Sequence, residues 1–512
     1  MNIRRASPAF YLSASALLFL CCGLADAYAQ KDGEDIAIGK YQVVRSQVLN
    51  EDRLLFVHLP PDYAESRVSY PVLYLLWIDI YNYFADAAII TEKLGSSGEA
   101  PPMIIVGVAN TDRYRDSLPV KNRDTGQGGG ADNFLRFLGD ELIPHIDKTY
   151  RTKDFRILAG PQAGAIFGLY ALMAKPGLFQ AFLTGNPFLN RDNAEFLFLR
   201  AEEFFKKTES FRKFLYIRCE NNEPAPALEY AGKLSGLLGS KKPRGFRFTV
   251  EIAEPSGYFI PPLPFRDGLR ALFAGHKFPA DLSVTGLKDI LRYYEALSAE
   301  YGFEVDPPPH LLTMKGAELG RQRKTREAVE VFEYMLGRNP RSLDALWQLG
   351  ETFRALGEYE KARECYKRFL EVRDVDAAMI RTRLGQVDRI LGGSAAYRVE
   401  QEIKRNGLRA GLKTYRALRS GPQAGIYFEE GEFNALGYRL MGAGKMREAI
   451  EIFKLNVELY PGSANAHDSL AEAYMNSGDA GKAIKHYRRS LELEPGNANA
   501  KRMLKELEKK GE

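Results

Sequence analysis

A strand–turn–helix segment in the first half of the chain has the pattern of a site for nucleophilic chemistry. A strand-like run at 156–159 precedes the turn, and a helix rich in small residues follows it. A serine at the apex would project its hydroxyl above the sheet, where the helix N-terminus favours developing negative charge. The apex residue is Gln162 instead, and a carboxamide has no ionisable proton with which to begin acyl transfer. The turn comprises Gly160, Pro161, Gln162, Ala163 and Gly164.

Alternating strand-like and helix-like segments surround this turn between about residues 40 and 276. Continuous apolar runs at 70–76 and 103–108 are typical of buried parallel strands, and 134–150 has helical spacing. The alternation, with glycine at strand ends, predicts an α/β fold with a doubly wound parallel sheet. Further strands are predicted at 54–59, 156–159, 181–184, 213–219 and 246–252.

The second half of the chain repeats with a period of 34 residues. Gly316 and Gly350 keep this spacing, and so do Ala449 and Ala483. Small residues allow two helices to approach closely, while aromatic residues fill the space between them. The sequence therefore predicts a solenoid of helical repeats behind the α/β domain.

These patterns divide the chain into segments. We expect a signal peptide at 1–29, the α/β domain at 40–276, a helical linker at 277–308, two repeats at 309–374, an irregular helical segment at 375–430, and two repeats with a C-terminal cap helix at 431–512.

The N-terminus reads as a targeting sequence. Two arginines precede an apolar run at 11–24, and Ala27-Tyr28-Ala29 supplies the small residues that a signal peptidase requires. We expect cleavage after Ala29 and an exported, periplasmic or secreted protein. Lipid attachment at Cys21 or Cys22 is the alternative. The apolar run is too short for a comfortable membrane span, and the sequence shows no longer one.

The composition argues against several classes of partner and cofactor. The net charge is +5 over 512 residues, and basic and acidic residues are interleaved, so nucleic-acid binding has no support. Six histidines and four cysteines form no cluster with metal-ligand spacing, so we expect neither a metal site nor a cofactor. Cys219 and Cys365 fall in different predicted domains, which argues against a disulfide framework.

Several separated motifs in the α/β region carry a family resemblance. The segments 70–76, 106–116, 141–152 and 267–270, in this order, resemble bacterial esterases of the esterase D-like and enterochelin esterase-like type. This resemblance implies an α/β-hydrolase fold and a serine–histidine–acid triad. The region after about Asn406 resembles a tetratricopeptide-type extension found behind such esterases and behind serine beta-lactamase-like proteins.

The family's nucleophile and base positions are substituted in this chain. The resemblance places the nucleophile at Gln162 and the histidine at Gly257, or at Tyr258 if the alignment shifts by one residue. Ser256 lies in the same loop and is the one candidate for a relocated nucleophile. Its neighbours Pro255 and Gly257 favour the simpler interpretation, an exposed turn serine.

Two further functional positions of the family, the oxyanion site and the catalytic acid, can be located in this chain. The Asp-Gly pair near the oxyanion site is replaced by Trp77-Ile78, whereas Glu220 or Glu223 stands where the acid would be. Because triad members act as a unit, an acid without an imidazole has nothing to orient. We therefore expect a catalytically inactive binding or scaffold protein. An active carboxylic-ester hydrolase with rearranged catalytic residues is the alternative.

Other residues near the turn suggest a ligand-binding cleft. In the run 112–116, the paired guanidinium groups of Arg113 and Arg115 could hold a carboxylate, or the run could form a loop-stabilising ion network with Asp112. Bulky residues could line an apolar cleft or plug it. The candidate cleft residues are Trp77, Ile78, Asp112, Arg113, Arg115, Ser256 and Tyr258. We expect a small-molecule ligand here and a protein or peptide partner on the repeats.

Overall fold

The computed structural model describes residues 37–78, 83–187, 189–223, 225–241, 243–254, 262–373, 377–422 and 425–511. The predicted signal peptide, including Cys21 and Cys22, lies outside these residues, as do Ser256, Gly257 and Tyr258. None of the helices in the described ranges combines the length and apolarity that a membrane span requires.

An eight-stranded mixed sheet forms the centre of the α/β domain. Its strand order is β1-β2-β4-β3-β5-β6-β7-β8, with β3 to β8 parallel. The fold is of the predicted α/β-hydrolase type, but the sheet is not wholly parallel, because β2 runs antiparallel to both β1 and β4. The strands are β1 (Lys40–Ser46), β2 (Glu51–His58), β3 (Tyr70–Leu76), β4 (Ile104–Val108), β5 (Thr152–Pro161), β6 (Ala181–Gly185), β7 (Phe214–Glu220) and β8 (Arg247–Ala253).

Helices cover the sheet on both faces. On β3, Leu73 and Leu75 enter one apolar layer while Val72 and Tyr74 enter the other, and all four are fully buried. The helices are α1 (Tyr83–Ser96), α2 (Arg113–Ser117), α3 (Ala131–Arg136), α4 (Ile143–Thr149), α5 (Ala163–Ala174), α6 (Arg191–Lys207), α7 (Ala225–Lys241) and α8 (Pro262–Leu272).

The helix predicted at 134–150 is interrupted by a π-helical segment, Phe137–Leu142, between α3 and α4. Pro144 stands at the start of α4. Proline has no N–H and cannot donate a hydrogen bond to the preceding turn. A change in the helical hydrogen-bond pattern at this point avoids leaving the acceptor in that turn without a donor.

The repeat region consists of paired antiparallel helices. The 34-residue period reflects close packing, since a Cβ on Gly316 would lie 2.5 Å from the ring of Phe332, and one on Gly350 would lie 2.6 Å from Tyr366. The helices are α9 (Leu287–Tyr301), α10 (Pro309–Arg321), α11 (Thr325–Arg338), α12 (Leu343–Ala355), α13 (Tyr359–Val372), α14 (Ala378–Gly393), α15 (Ala395–Asn406), α16 (Leu408–Ser420), α17 (Glu430–Gly442), α18 (Met446–Leu459), α19 (Ala464–Asn476), α20 (Ala480–Leu493) and α21 (Ala498–Gly511).

Two segments lie between the predicted domains and repeats, and both contain helices. The stretch 375–430, predicted as an irregular helical segment, contains α14, α15 and α16; the side chain of Ser394 caps α15 by accepting from Tyr397 N at 3.0 Å. The stretch 277–308, predicted as a helical linker, contains α9. Its apolar face joins one continuous core that extends from the sheet through the repeats to Val387. The α/β domain and the first repeats therefore share their packing.

Candidate functional site

The turn at the carboxyl end of β5 has a strained backbone. Gln162 has φ 52° and ψ −118°, a combination that non-glycine residues rarely adopt. Its N–H donates to Gly185 O at 2.9 Å, and its carbonyl accepts from Ala165 N at 3.1 Å and Ile166 N at 3.2 Å. These bonds fix the turn between β6 and the first turn of α5. The side chain of Gln162 is not buried, so it stands at the apex position that the sequence indicated.

The two glycines of the turn are required by their neighbours. A Cβ on Gly160 would lie 3.1 Å from Leu76 Cβ and 3.2 Å from the backbone of Gly164. A Cβ on Gly164 would lie 3.2 Å from the indole of Trp77. The close approach of β3, β5 and α5 therefore explains both glycines by packing alone.

Trp77 and Ile78 fill space beside the turn. Trp77 has a positive φ of 63° and is only 2% exposed, and its indole N–H donates to Ser117 Oγ at 3.2 Å. The guanidinium of Arg113 lies 5.3 Å from the indole ring centre. Ile78 is likewise buried, and its side chain occupies the space that a Cβ on Gly107 would need. This arrangement favours the plugged form of the cleft over an open apolar one.

The charged run at 112–116 forms an ion network with charged residues of β2. Asp112 caps α2 by accepting from Arg115 N at 2.9 Å. The Arg115 guanidinium binds Glu51 at 2.6 Å and Asp116 at 2.8 Å, and these partners raise its pKa. Fully buried Arg53 also binds Asp116, at 2.6 Å. These contacts favour the loop-stabilising interpretation of Arg115 and Asp112.

The candidate acids lie at the carboxyl end of β7. Glu220 is the last residue of the strand and is 3% exposed, and its N–H donates to Asn186 Oδ1 at 3.2 Å. Glu223 follows in the next turn, where its N–H donates to Glu220 O at 3.1 Å. Burial, assisted by the nearby Glu220 carboxylate, raises the pKa of Glu223. The structure thus brings both carboxyl groups close to each other on the side of the sheet that carries the turn.

All six histidines of the sequence lie among the described residues, and each has partners away from the turn. His58 binds Ile38 O and Glu92, His145 binds Gln42, and buried His276 binds Gly98 O while His310 lies against Gly98. His467 and His486 contact each other within the repeats, with 3.0 Å between their Nδ1 atoms. The imidazoles therefore serve local structure.

A groove of about 1320 Å³ lies on the repeats. On its wall, the Arg439 guanidinium binds the buried carboxylate of Glu400 at 2.5 Å, and Tyr438 donates to Glu472 at 2.8 Å. Sequence reasoning indicated a binding surface on the repeats but not this site, because its walls come from helices far apart in the chain. The lining includes Arg323, Arg326, Glu327, Tyr359, Glu400, Lys404, Tyr438, Arg439, Lys445 and Glu472.

Comparisons with known proteins agree with this two-part architecture. Residues 46–214 match the family model described as "Putative esterase", and residues 313–386 and 464–497 match models of the tetratricopeptide repeat. The ferri-bacillibactin esterase BesA of Bacillus subtilis is 28% identical over 210 residues, which cover 36% of this chain and 67% of that protein.

Solved structures also resemble this chain. An IroE-like serine hydrolase from Shewanella oneidensis is 25% identical and has a TM-score of 0.48; the match covers 58% of this chain and 99% of that one. The BES protein from Bacillus cereus is 21% identical with a TM-score of 0.41, covering 50% and 100% of the two chains. The chain thus matches an esterase family model in its α/β region and tetratricopeptide-repeat models in its helical region.

Proposed function

We propose that this protein is a non-catalytic esterase homologue that acts by binding a partner on its repeats. The observation that carries the proposal is the position of the histidines, since five of the six bind partners away from the turn, His310 lies against Gly98, and the loop after β8 contains none. In a serine–histidine–acid triad, the imidazole accepts the nucleophile's proton and returns it to the leaving group.

The turn residue supports the same conclusion. Gln162 occupies the strained apex, and its carboxamide is neither acidic enough to ionise nor a useful nucleophile. Loss of either nucleophile or base alone reduces turnover by about 10³-fold or more, and the losses do not compensate one another. Glu220 is then an acid with no imidazole to orient.

The groove on the repeats supports the binding role. Helical repeats present extended concave surfaces to peptides and to other proteins. The groove has both charges on its walls, and its lining includes the exposed cations Arg326 and Lys445. Export of the protein, with cleavage after Ala29, is part of the proposal and rests on the N-terminal sequence alone.

An active hydrolase with rearranged residues is the second candidate. The retained strain at Gln162 and the acid at the end of β7 are both expected of a turn that still performs chemistry. Ser256, the relocated nucleophile of that hypothesis, lies outside the described residues.

Reaction of the purified full chain with a fluorophosphonate probe separates the two candidates. We expect no covalent labelling and no hydrolysis of p-nitrophenyl acetate above the rate of heat-denatured protein. Labelling that persists in Ser240→Ala, an exposed serine on α7, and disappears in Ser256→Ala would establish the active enzyme.

A second experiment tests the binding role. The immobilised full chain is expected to retain a partner from an extract of exported proteins. The double variant Arg326→Glu/Lys445→Glu should lose it, whereas Lys207→Glu, on α6 of the α/β domain, should not. Equal retention by all three proteins would place binding outside the groove.

A further inference from the structure

A strip of exposed apolar side chains follows the free edge of the central sheet. Tyr41 and Val43 on β1 are 74% and 60% exposed, and Leu54 on β2, opposite Val43, is 37% exposed. Ile38, just before β1, is 41% exposed. We call Ile38, Tyr41, Val43 and Leu54 the edge strip. Four neighbouring apolar side chains in water form a patch of the kind that marks interaction surfaces.

Only one face of β1 is covered by the rest of the domain. Gln42 donates to the Tyr150 hydroxyl at 2.7 Å, and Ser46 donates to Glu141 at 2.6 Å, so the even-numbered side chains are held against the helical layer. Tyr41 and Val43 point away from that layer, because side chains alternate along a strand. β1 is therefore anchored on one face and open on the other.

Among the residues that the structure describes, none pairs with the outer edge of β1. β1 is the terminal strand of the sheet and has β2 as its neighbour on one side. Its seven residues, Lys40–Ser46, contain no proline or glycine, so their outward main-chain groups form a regular row that another strand can bind. An open edge beside an open apolar face is suited to strand addition.

We propose that β1 pairs with β1 of a second copy of this chain, antiparallel and around a two-fold axis at Val43. In this register Val43 faces the partner's Val43, and Tyr41 faces the partner's Arg45. Lys40 faces Ser46, so no two cations are directly opposed. Across the joint, Leu54, Val43 and their two symmetry mates form one continuous apolar row.

The order of side chains along β1 favours a second copy over an unrelated strand, since it pairs Val43 with Val43 and Tyr41 with Arg45. Arg45 lies 3.5 Å from Asp52 on its own hairpin, and the Tyr41 ring of the partner would meet the other side of the guanidinium. The strand is thus complementary to itself, as a two-fold interface requires. If the pairing slipped by one residue, the exposed apolar side chains of one β1 would lie beside the covered-face side chains of the other β1.

Sedimentation of the full chain tests the pairing. The protein has a mass of 57.6 kDa, and we expect a dimer fraction that rises with protein concentration. Val43→Lys places two ammonium groups at the two-fold axis and should leave a folded monomer, since Val43 is exposed. The control is Ile252→Lys, 54% exposed on β8 at the opposite edge, which should still dimerise.

A disulfide at the two-fold axis tests the register. Directly opposed residues of antiparallel strands have Cα atoms about 4.5–5.5 Å apart, within the range that a disulfide spans. Val43→Cys should therefore cross-link on oxidation, giving a linked pair of tryptic peptides 41–45. Tyr41→Cys should not, because its symmetry mate lies four residues along the strand, about 13 Å away.

Three results would overturn the pairing. These are a wild-type chain that stays monomeric at all concentrations, a dimer that survives Val43→Lys, and Val43→Cys that links no more readily than Tyr41→Cys. The first and third would leave the edge strip to another occupant, such as the N-terminal segment or a different protein.

Discussion

The two ends of the parallel strands use polar side chains in different ways. At the carboxyl end, Gln162 stands at a strained turn with its side chain unburied. At the amino end, polar groups hold neighbouring segments together: Lys153 of β5 binds Asp306, just before the first repeat, at 2.9 Å, and His276 donates to Gly98 O, after α1, at 2.8 Å. Arg338 of the first repeat accepts at its carbonyl from Arg67 N, also at 2.9 Å.

If the domain is non-catalytic, as we propose, this difference indicates why an esterase-like domain persists. The apolar layer on one face of its sheet is part of the same core as α9 to α14, so the repeats depend on it for burial. In our proposal the carboxyl end retains its shape because the glycines there are fixed by packing. Stability, and not turnover, then preserves the domain.

The largest change in the free energy of unfolding is expected at the amino end of the parallel strands. Phe273 is 1% exposed, and its ring centre lies 6.1 Å from Phe155 of β5 and 5.6 Å from Tyr301 of α9. Phe273→Ala should lower the free energy of unfolding by about 3–5 kcal/mol, since it leaves a cavity between sheet and repeats. Urea unfolding measures the loss, and Leu282→Ala, an exposed control, should change stability by less than about 0.5 kcal/mol. Repeats that unfold at an unchanged urea concentration in Phe273→Ala would show that the shared core does not couple the two parts.

A pH effect is expected at the same end. Burial lowers the pKa of His276 to about 4, below its ordinary value of 6.5. Between these values the unfolded chain binds the proton and the folded chain does not, so stability falls as pH drops from about 6.5 to 4. This residue alone contributes a loss of up to about 3 kcal/mol.

The measurement is urea unfolding at pH 7 and pH 4.5. His276→Gln, whose amide can still donate to Gly98 O, should lose less stability over this interval than the wild type. His145→Gln on α4 serves as the control and should follow the wild type. If the free energy of unfolding fell equally with pH in all three proteins, His276 would not be the cause of the pH dependence.

The sequence predicted local elements well where apolar residues were continuous. The strand predicted at 70–76 matches β3, because all seven of its residues are buried and the run has no polar break. β1 was missed, since its Tyr41 and Val43 are exposed and its pattern is that of a half-covered edge. The antiparallel direction of β2 was also missed, because strand direction is set by connections and not by composition.

The sequence pattern could not predict contacts between segments that are far apart in the chain. Gln162 could be placed at the turn from its flanking glycines alone, as their spacing specifies the local backbone. The ion pairs of Arg115 required the structure, because Glu51 lies on a strand 64 residues earlier. The docking of α9 on the sheet likewise depends on aromatic rings that meet only in the folded chain.

The smallest change in the free energy of unfolding is expected at the carboxyl end of the parallel strands, where a substitution should stabilise the protein. Gln162→Gly removes the cost of a side chain at φ 52°, about 1–3 kcal/mol, and is offset by about 1 kcal/mol of added chain entropy. We expect a gain of about 1 kcal/mol in urea unfolding, with no change in ester hydrolysis. Ala163→Gly, the next residue, lies in α5 without such strain and should lose up to about 1 kcal/mol. If Gln162→Gly were destabilising as well, the Gln162 side chain would be supporting the turn, and the carboxyl end would not be an unused remnant.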